Sequence, residues 1–327
     1  MKVLLKIILF SFYFFGVGLF CQGQLQWQNA DADYGPLPPS MHVFKSVTDI
    51  DGKKNIAFYV IADLKSKDLS FTTDTTLHRR LTPTQFYENE NRPLVVVNAT
   101  FFSFATNQNL NLVIKDGKQL GYNVHTIAGR KNDTLLYHHP FHGALGISKK
   151  GMADVAWIYS DSSKRYPYAS QQPLKAWKDS SIKISKQQIR PVNESEQNHS
   201  SLKKWKMKTA VGGGPVLLQD GNIKISNNEE MKFSGKAIND RHPRTAIGYT
   251  SDNRLVILVI QGRTPGIAEG ATLLQEAQIL KDLGCTEALN LDGGGSSCML
   301  VNGKETITPS DKSGQRAVPA VFIVEKK

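Results

Sequence analysis

The apolar residues of this chain come in short runs, each closed by a turn signal, and that pattern most narrows the folds open to it. Residues 56–62 (IAFYVIA), 94–98 (LVVVN), 255–260 (LVILVI) and 317–324 are rich in β-branched and aromatic side chains and are too short for core helices. Asp116-Gly117, Asp220-Gly221 and Asn302-Gly303 follow such runs directly, and the first two predict tight hairpins. Ser251-Asp252-Asn253 separates the strands expected over 245–249 and 255–260. One stretch has helical spacing. Thr272 and Gln275 can form a capping box, Leu273, Ala277 and Leu280 then share a face, and Gly284 ends the turn. The expected fold is α+β, a strand-dominated mixed sheet domain with few helices.

The N-terminal segment obeys a different logic. Lys2 and Lys6 precede an uncharged run over 7–21, short for a membrane span but suited to a secretory signal. Residues 1–23 are therefore set apart as a signal peptide, with cleavage expected after the small residue Gly23. A lipoprotein anchor at Cys21 would want small residues before it. Leu19 and Phe20 stand there instead, so simple export, periplasmic or extracellular, is favoured over lipid anchoring. Residues 24–40, with Pro36, Pro38 and Pro39, read as an extended leader, and 41–327 as one domain. Within it, about 160–208 is a polar excursion rich in Ser, Lys and Gln, read as a surface insertion.

The chain carries 40 basic and 29 acidic residues, a net charge of +11. The densest basic cluster, Lys203, Lys204, Lys206 and Lys208, sits beside the polar insertion and not in a stripe, which argues against nucleic acid as a partner. The excess suits an anionic substrate or association with an anionic cell surface. Cys285 and Cys298 make neither a disulfide framework nor a metal pattern, and are read as buried thiols. No His/Cys/Asp spacing marks a metal site. His138, His139 and His142 are equally well explained by a polar turn, so no metal and no cofactor is expected.

The feature richest in chemistry is Asn290-Leu291-Asp292-Gly293-Gly294-Gly295-Ser296-Ser297. A strand delivers a carboxylate to a run of glycines whose main-chain amides can line a concavity for phosphate or sugar oxygens. Gly212-Gly213-Gly214-Pro215 is a second glycine run, and neither is a P-loop, because no Gly-Lys-Ser/Thr follows. Arg244 opens a strand and Arg263 follows one, and an arginine fork matches two phosphate oxygens. Asn98, at the end of its strand, could hydrogen-bond a ligand, with Phe101 and Phe102 stacking on a sugar.

In chain order, Asn98-Ala99-Thr100-Phe101-Phe102, Gly212-Gly213-Gly214-Pro215, Arg244-Thr245-Ala246-Ile247-Gly248, Gly262-Arg263, the Gly270 helix and Asn290–Ser296 resemble the phosphodiester glycosidase family, to which the lysosomal enzyme that uncovers mannose 6-phosphate belongs. The resemblance covers roughly 94–327, interrupted by the polar excursion. Two departures stand out: Gln261 where many bacterial members have Asp, and Cys298 where Thr is common.

The resemblance implies hydrolysis of the bond between a sugar's anomeric carbon and a phosphodiester oxygen, releasing free sugar and a phosphate monoester. The substrate would be a sugar-1-phosphodiester or a phosphate-containing glycan. Such a site must balance charge on the departing phosphate and stabilise an oxocarbenium-like centre. Asp292 is then expected as nucleophile or general base, with Arg244 and Arg263 as a phosphate clamp. Asn98, Gly213, Gly214, Gly294 and Ser296 would shape the pocket, and Asp240 and Glu269 are weaker second-carboxylate candidates. Two other classes use the same residues differently: a non-catalytic binding module for anionic glycans, to which Gln261 lends weight, and a structural surface protein using the glycines only as turns.

Overall fold

The computed structural model describes residues 24–129, 136–178 and 202–327. The signal segment and the middle of the polar excursion lie outside these described residues. Every strand pairing among the described residues is antiparallel, within sheets of eight, seven, five and three strands. The strand-dominated α+β expectation holds.

Local signals placed their elements closely. Asp116-Gly117, Asp220-Gly221 and Asn302-Gly303 all have positive φ and join Val113–Lys115 to Lys118–Gly121, Val216–Gln219 to Asn222–Ile223, and Met299–Val301 to Lys304–Glu305. This is the type I′ geometry whose twist matches paired strands. The helix Leu273–Asp282 starts from Thr272 with the reciprocal Thr272–Gln275 capping box. A second capping box, Thr82–Gln85, starts the short helix Pro83–Asn89.

The eight-stranded sheet explains why Arg254–Ile260 is apolar at nearly every position. Leu255, Ile257 and Val259 face one core, shared with Val95, Val97 and Phe322 of the five-stranded sheet and with Leu145, Val155 and Trp157 of the seven-stranded sheet. Val256, Leu258 and Ile260 face the other way and pack against Leu273, Ala277 and Leu280 of the capped helix. A strand covered on both faces needs no polar alternation. The five-stranded sheet repeats this on a smaller scale: Val96, Leu300 and Ile323 turn from the shared core to meet Phe86 of the Pro83–Asn89 helix.

Two segments differ from the sequence reading. The leader 24–40 does not simply run extended. Gln28–Asn29 joins the edge of the eight-stranded sheet, Asp31–Tyr34 forms a 3-10 turn, and Ala30 and Tyr34 are buried. The ends of the polar excursion belong to the seven-stranded sheet: Tyr168–Ser170 and Lys203–Lys204 pair with one another, and Leu174 and Trp205 are buried. Trp205 fits there because Gly146 leaves room for its ring: a Cβ at that position would lie 2.5 Å from the indole.

Candidate active site

The site forms where the chain leaves one sheet for another. Cys285–Asn290 is a strand of the eight-stranded sheet and Met299–Val301 belongs to the five-stranded sheet, so Asp292 and the glycines are the corner between them. Main-chain bonds pin that corner on several sides. Leu291 N–H donates to Thr245 O (2.8 Å), Asp292 N–H to Ala99 O (2.8 Å) and Gly294 N–H to Pro243 O (2.8 Å). Gly294 takes φ +62°, open to glycine at little cost, and a Cβ there would lie 2.8 Å from Nη2 of Arg263.

Asn98 stands under the corner. It is fully buried, and its Oδ1 accepts from Thr245 Oγ1 and from Cys298 N–H, both at 3.0 Å, while its Nδ2 donates to the Asp292 carbonyl. The amide therefore holds the turn from within the core. Cys298 and Cys285 are free, buried thiols, and burial pushes Cys285 up to about 12.

The second glycine run packs against the first. Gly214 N–H donates to Asn290 O (2.8 Å), the Asn290 side chain returns a bond to Gly214 O (2.7 Å), and Gly213 N–H donates to Gly143 O (2.9 Å). Gly214 has φ +121°, and a Cβ there would sit 2.2 Å from Oε2 of Glu230 and 2.5 Å from Cε of Lys232.

Those two residues are the main addition the structure makes to the site. Glu230 is fully buried and accepts from Gly143 N–H (2.8 Å), Val216 N–H (2.8 Å) and Ser226 Oγ (2.7 Å), and burial raises its pKa. Lys232 follows a left-handed Met231 (φ 52°) and extends beneath Phe101, Nζ lying 4.3 Å from the ring centroid. Burial of its ammonium lowers its pKa to about 8, against the opposing pull of Glu230 and Asp292. No spacing in the sequence pointed to Glu230-Met231-Lys232. The three lie far from the glycine corner along the chain and reach it only through the packing of Gly214.

Asp292 is partly buried, and burial raises its pKa to about 6. A hydrogen bond from Ser296, the charges of Arg316 and Lys232, and the Gly293 N–H all favour its ionised form against that pressure. Arg316 is the other residue missed from sequence. Its guanidinium lies against Gly295, donates to Ser296 Oγ at 3.4 Å and is held by Asp311 through Nε and Nη2, both at 2.7 Å.

The two arginines singled out in the sequence have different surroundings. Arg263 is exposed, takes φ +63°, and meets no carboxylate among the described residues. A side-chain-bearing residue in that backbone region is uncommon and is held there by its surroundings. Arg244 is buried, and its Nε and Nη2 donate to Ala271 O (2.8 Å) and Asp240 O (3.1 Å). Two of its three nitrogens thus bind protein carbonyls, and the buried Glu276 acts on its charge. Glu269 is drawn off by Lys53 at 3.6 Å, and Asp240 is exposed. Gln261 accepts from Thr308 N–H at 3.0 Å, anchoring a neighbouring loop.

In this strand-rich α+β domain the Asp292 carboxylate stands on a glycine corner, with Lys232 and Arg316 acting on its charge and Arg263 lying against Gly294. Comparison narrows the class. The family described as phosphodiester glycosidase matches residues 91–325, and this chain belongs to that family. A Mus musculus protein named N-acetylglucosamine-1-phosphodiester alpha-N-acetylglucosaminidase is 30% identical over 109 residues, 31% of this chain and 21% of the mouse protein. The Bacillus subtilis SPbeta prophage-derived protein YomE is 42% identical over 86 residues, 26% of this chain and 13% of that protein. The aligned region thus spans about a fifth or less of these relatives. The zebrafish N-acetylglucosamine-1-phosphodiester alpha-N-acetylglucosaminidase catalytic domain shares the fold with a TM-score of 0.57 at 20% identity, over 94% of this chain and 92% of that one. A hypothetical protein from Synechocystis superposes with the same TM-score of 0.57 at 18% identity, over 89% of this chain and 64% of that one.

Proposed function

We propose that this protein is an exported hydrolase that cleaves a sugar from the phosphodiester on its anomeric carbon. The observation that carries the reading is Asp292 itself: a carboxyl with its pKa raised to about 6, presented on a glycine corner among three cations. Membership of the family and the printed activity of the mouse relative support it. Export is supported by the N-terminal sequence and by a fold shared with a putative exported protein from Burkholderia pseudomallei, TM-score 0.54 at 17% identity. Among the described residues no helix is long and apolar enough to cross a membrane.

In this reading the phosphate binds Arg263 and Arg316, with the glycine corner below it. Arg244, whose Nε and Nη2 are bonded to protein carbonyls, steadies the junction between Asp240 and Ala271 from behind. The sugar lies over Asp292, beside Lys232 and Phe101. As the bond from the anomeric carbon to the phosphate oxygen breaks, its electron pair leaves with the phosphate, whose charge the arginines balance. Asp292 either bonds the anomeric carbon as the phosphate leaves, water then cleaving that ester to free the sugar and the carboxylate, or takes a proton from the water that attacks directly. The products are the free sugar and a phosphate monoester. Gln261 gave the binding-module alternative its weight, and its hydrogen bond to Thr308 gives it a structural task instead.

The test is incubation of the purified protein with N-acetylglucosamine-1-phosphate methyl diester and related sugar-1-phosphodiesters, measuring free sugar and methyl phosphate. Release that disappears in Asp292→Asn supports the hydrolase. Binding of the same compounds without any release would make the chain a sugar-phosphate binding module.

A further inference from the structure

The loop that follows Asn98 touches both cations that act on Asp292. Phe101 lies at Lys232, and Phe104, three positions on, lies at Arg316. Phe104 is 65% exposed, an unusual setting for a phenyl ring, and rests on Phe102 with centroids 4.7 Å apart. The guanidinium carbon of Arg316 is 5.3 Å from its centroid. That of Arg80 is 5.5 Å from Phe104 and 5.1 Å from Phe102.

The two arginines are not equivalent. Arg316 is ion-paired with Asp311 at 2.7 Å. Arg80 meets no carboxylate among the described residues and is held by the two rings alone. A guanidinium laid against a ring still directs its N–H groups outward in its own plane, where they can take phosphate oxygens. Arg316 touches Gly295 and Ser296 of the glycine corner as well as Phe104, so in the proposed reading a phosphate held at Arg316 sets its alcohol beside Phe104 and Arg80.

We infer that Phe104 and Arg80 form a leaving-group subsite for an alcohol that carries a second phosphate. Phe104 packs against the alcohol's carbon chain and Arg80 binds the distal phosphate. The inference rests on the phosphodiester glycosidase reading and adds to it the class of alcohol preferred.

The experiment compares a sugar-1-phosphoglycerol bearing a terminal phosphate with the matching methyl diester. In the unaltered protein kcat/KM should favour the phosphorylated compound by roughly tenfold, and Arg80→Gln should bring that ratio close to unity. Phe104→Ala should lower the ratio in part. Raising salt from about 0.05 to about 0.5 M should shrink it, since an exposed charge contact is screened. The Kd ratio of the same two compounds, measured in the Asp292→Asn variant, gives the answer even where neither is hydrolysed. An Arg80-dependent affinity ratio without turnover would keep the subsite and reject the hydrolase. Equal values for both compounds, or a ratio that Arg80→Gln leaves unchanged, would overturn the subsite.

Discussion

The side chain of Asn98 is bonded to the main chain of Asp292, Nδ2 donating to the Asp292 carbonyl from a strand of the other sheet. Its Oδ1 is taken by Thr245 and Cys298 in the same buried spot. Asn98→Ala would leave the Asp292 carbonyl and the Cys298 N–H without this partner and Thr245 with Ser297 alone. The expected cost is on the order of 2–4 kcal/mol of stability. Because the turn also carries the carboxylate, kcat should fall further than the loss of folded protein explains. Denaturant unfolding and activity per folded molecule, measured on one preparation, check both parts.

The pH dependence of turnover follows from the two titrating groups beside the glycines. Asp292, at about 6, must be ionised to act as base or nucleophile, so kcat/KM should fall with unit slope below that pH. Lys232, at about 8, loses its charge above that value and with it a cation facing the anionic substrate. The profile should be a bell between these values, its limbs belonging jointly to the coupled groups. Lys232→Met should abolish the alkaline limb at a lower plateau. A profile flat from pH 5 to about 9 in the unaltered protein would remove both residues from the reaction.

What the sequence made legible was whatever depends on neighbours in the chain. The two Asp-Gly hairpins and the Thr272 capping box are set by a few adjacent residues, and they fall where expected. Asp292 could be singled out because a carboxylate beside consecutive glycines is locally distinctive. Lys232 and Arg316 could not, because only the meeting of separate sheets and loops brings them to Asp292. Arg244 shows the converse. In the sequence it matched Arg263, and the difference lies in burial under Ala271 and the helix beyond, which no local pattern reports.

The second glycine run offers a test of why its residues are glycines. Gly214→Ala would place a methyl carbon 2.2 Å from the Glu230 carboxylate at φ +121°. Strain and overlap together should cost about 3 kcal/mol or more and displace Lys232. Gly221→Ala, also at positive φ (+74°) but with nothing within 4 Å, bears only the backbone penalty, about 1 kcal/mol. Similar unfolding free energies for the two variants would show that Glu230 does not crowd Gly214.

Glu276 makes the last prediction, and it concerns stability alone. It lies on the buried face of the Leu273–Asp282 helix, and neither carboxyl oxygen has a hydrogen-bond partner among the described residues. Burial raises its pKa to about 8, with Arg244 opposing. The folded state therefore keeps a proton that the unfolded chain releases near its ordinary value of 4.5. Between these two values the unfolded state binds fewer protons, so this group makes the protein less stable as pH rises through the window and adds no further change above it. Glu276→Gln removes the dependence while keeping the shape. Its unfolding free energy relative to the unaltered protein should climb from pH 5 to pH 8 by on the order of 3 kcal/mol. A difference that stays constant across that range would mean that Arg244 holds Glu276 ionised throughout, and that the two form a buried ion pair.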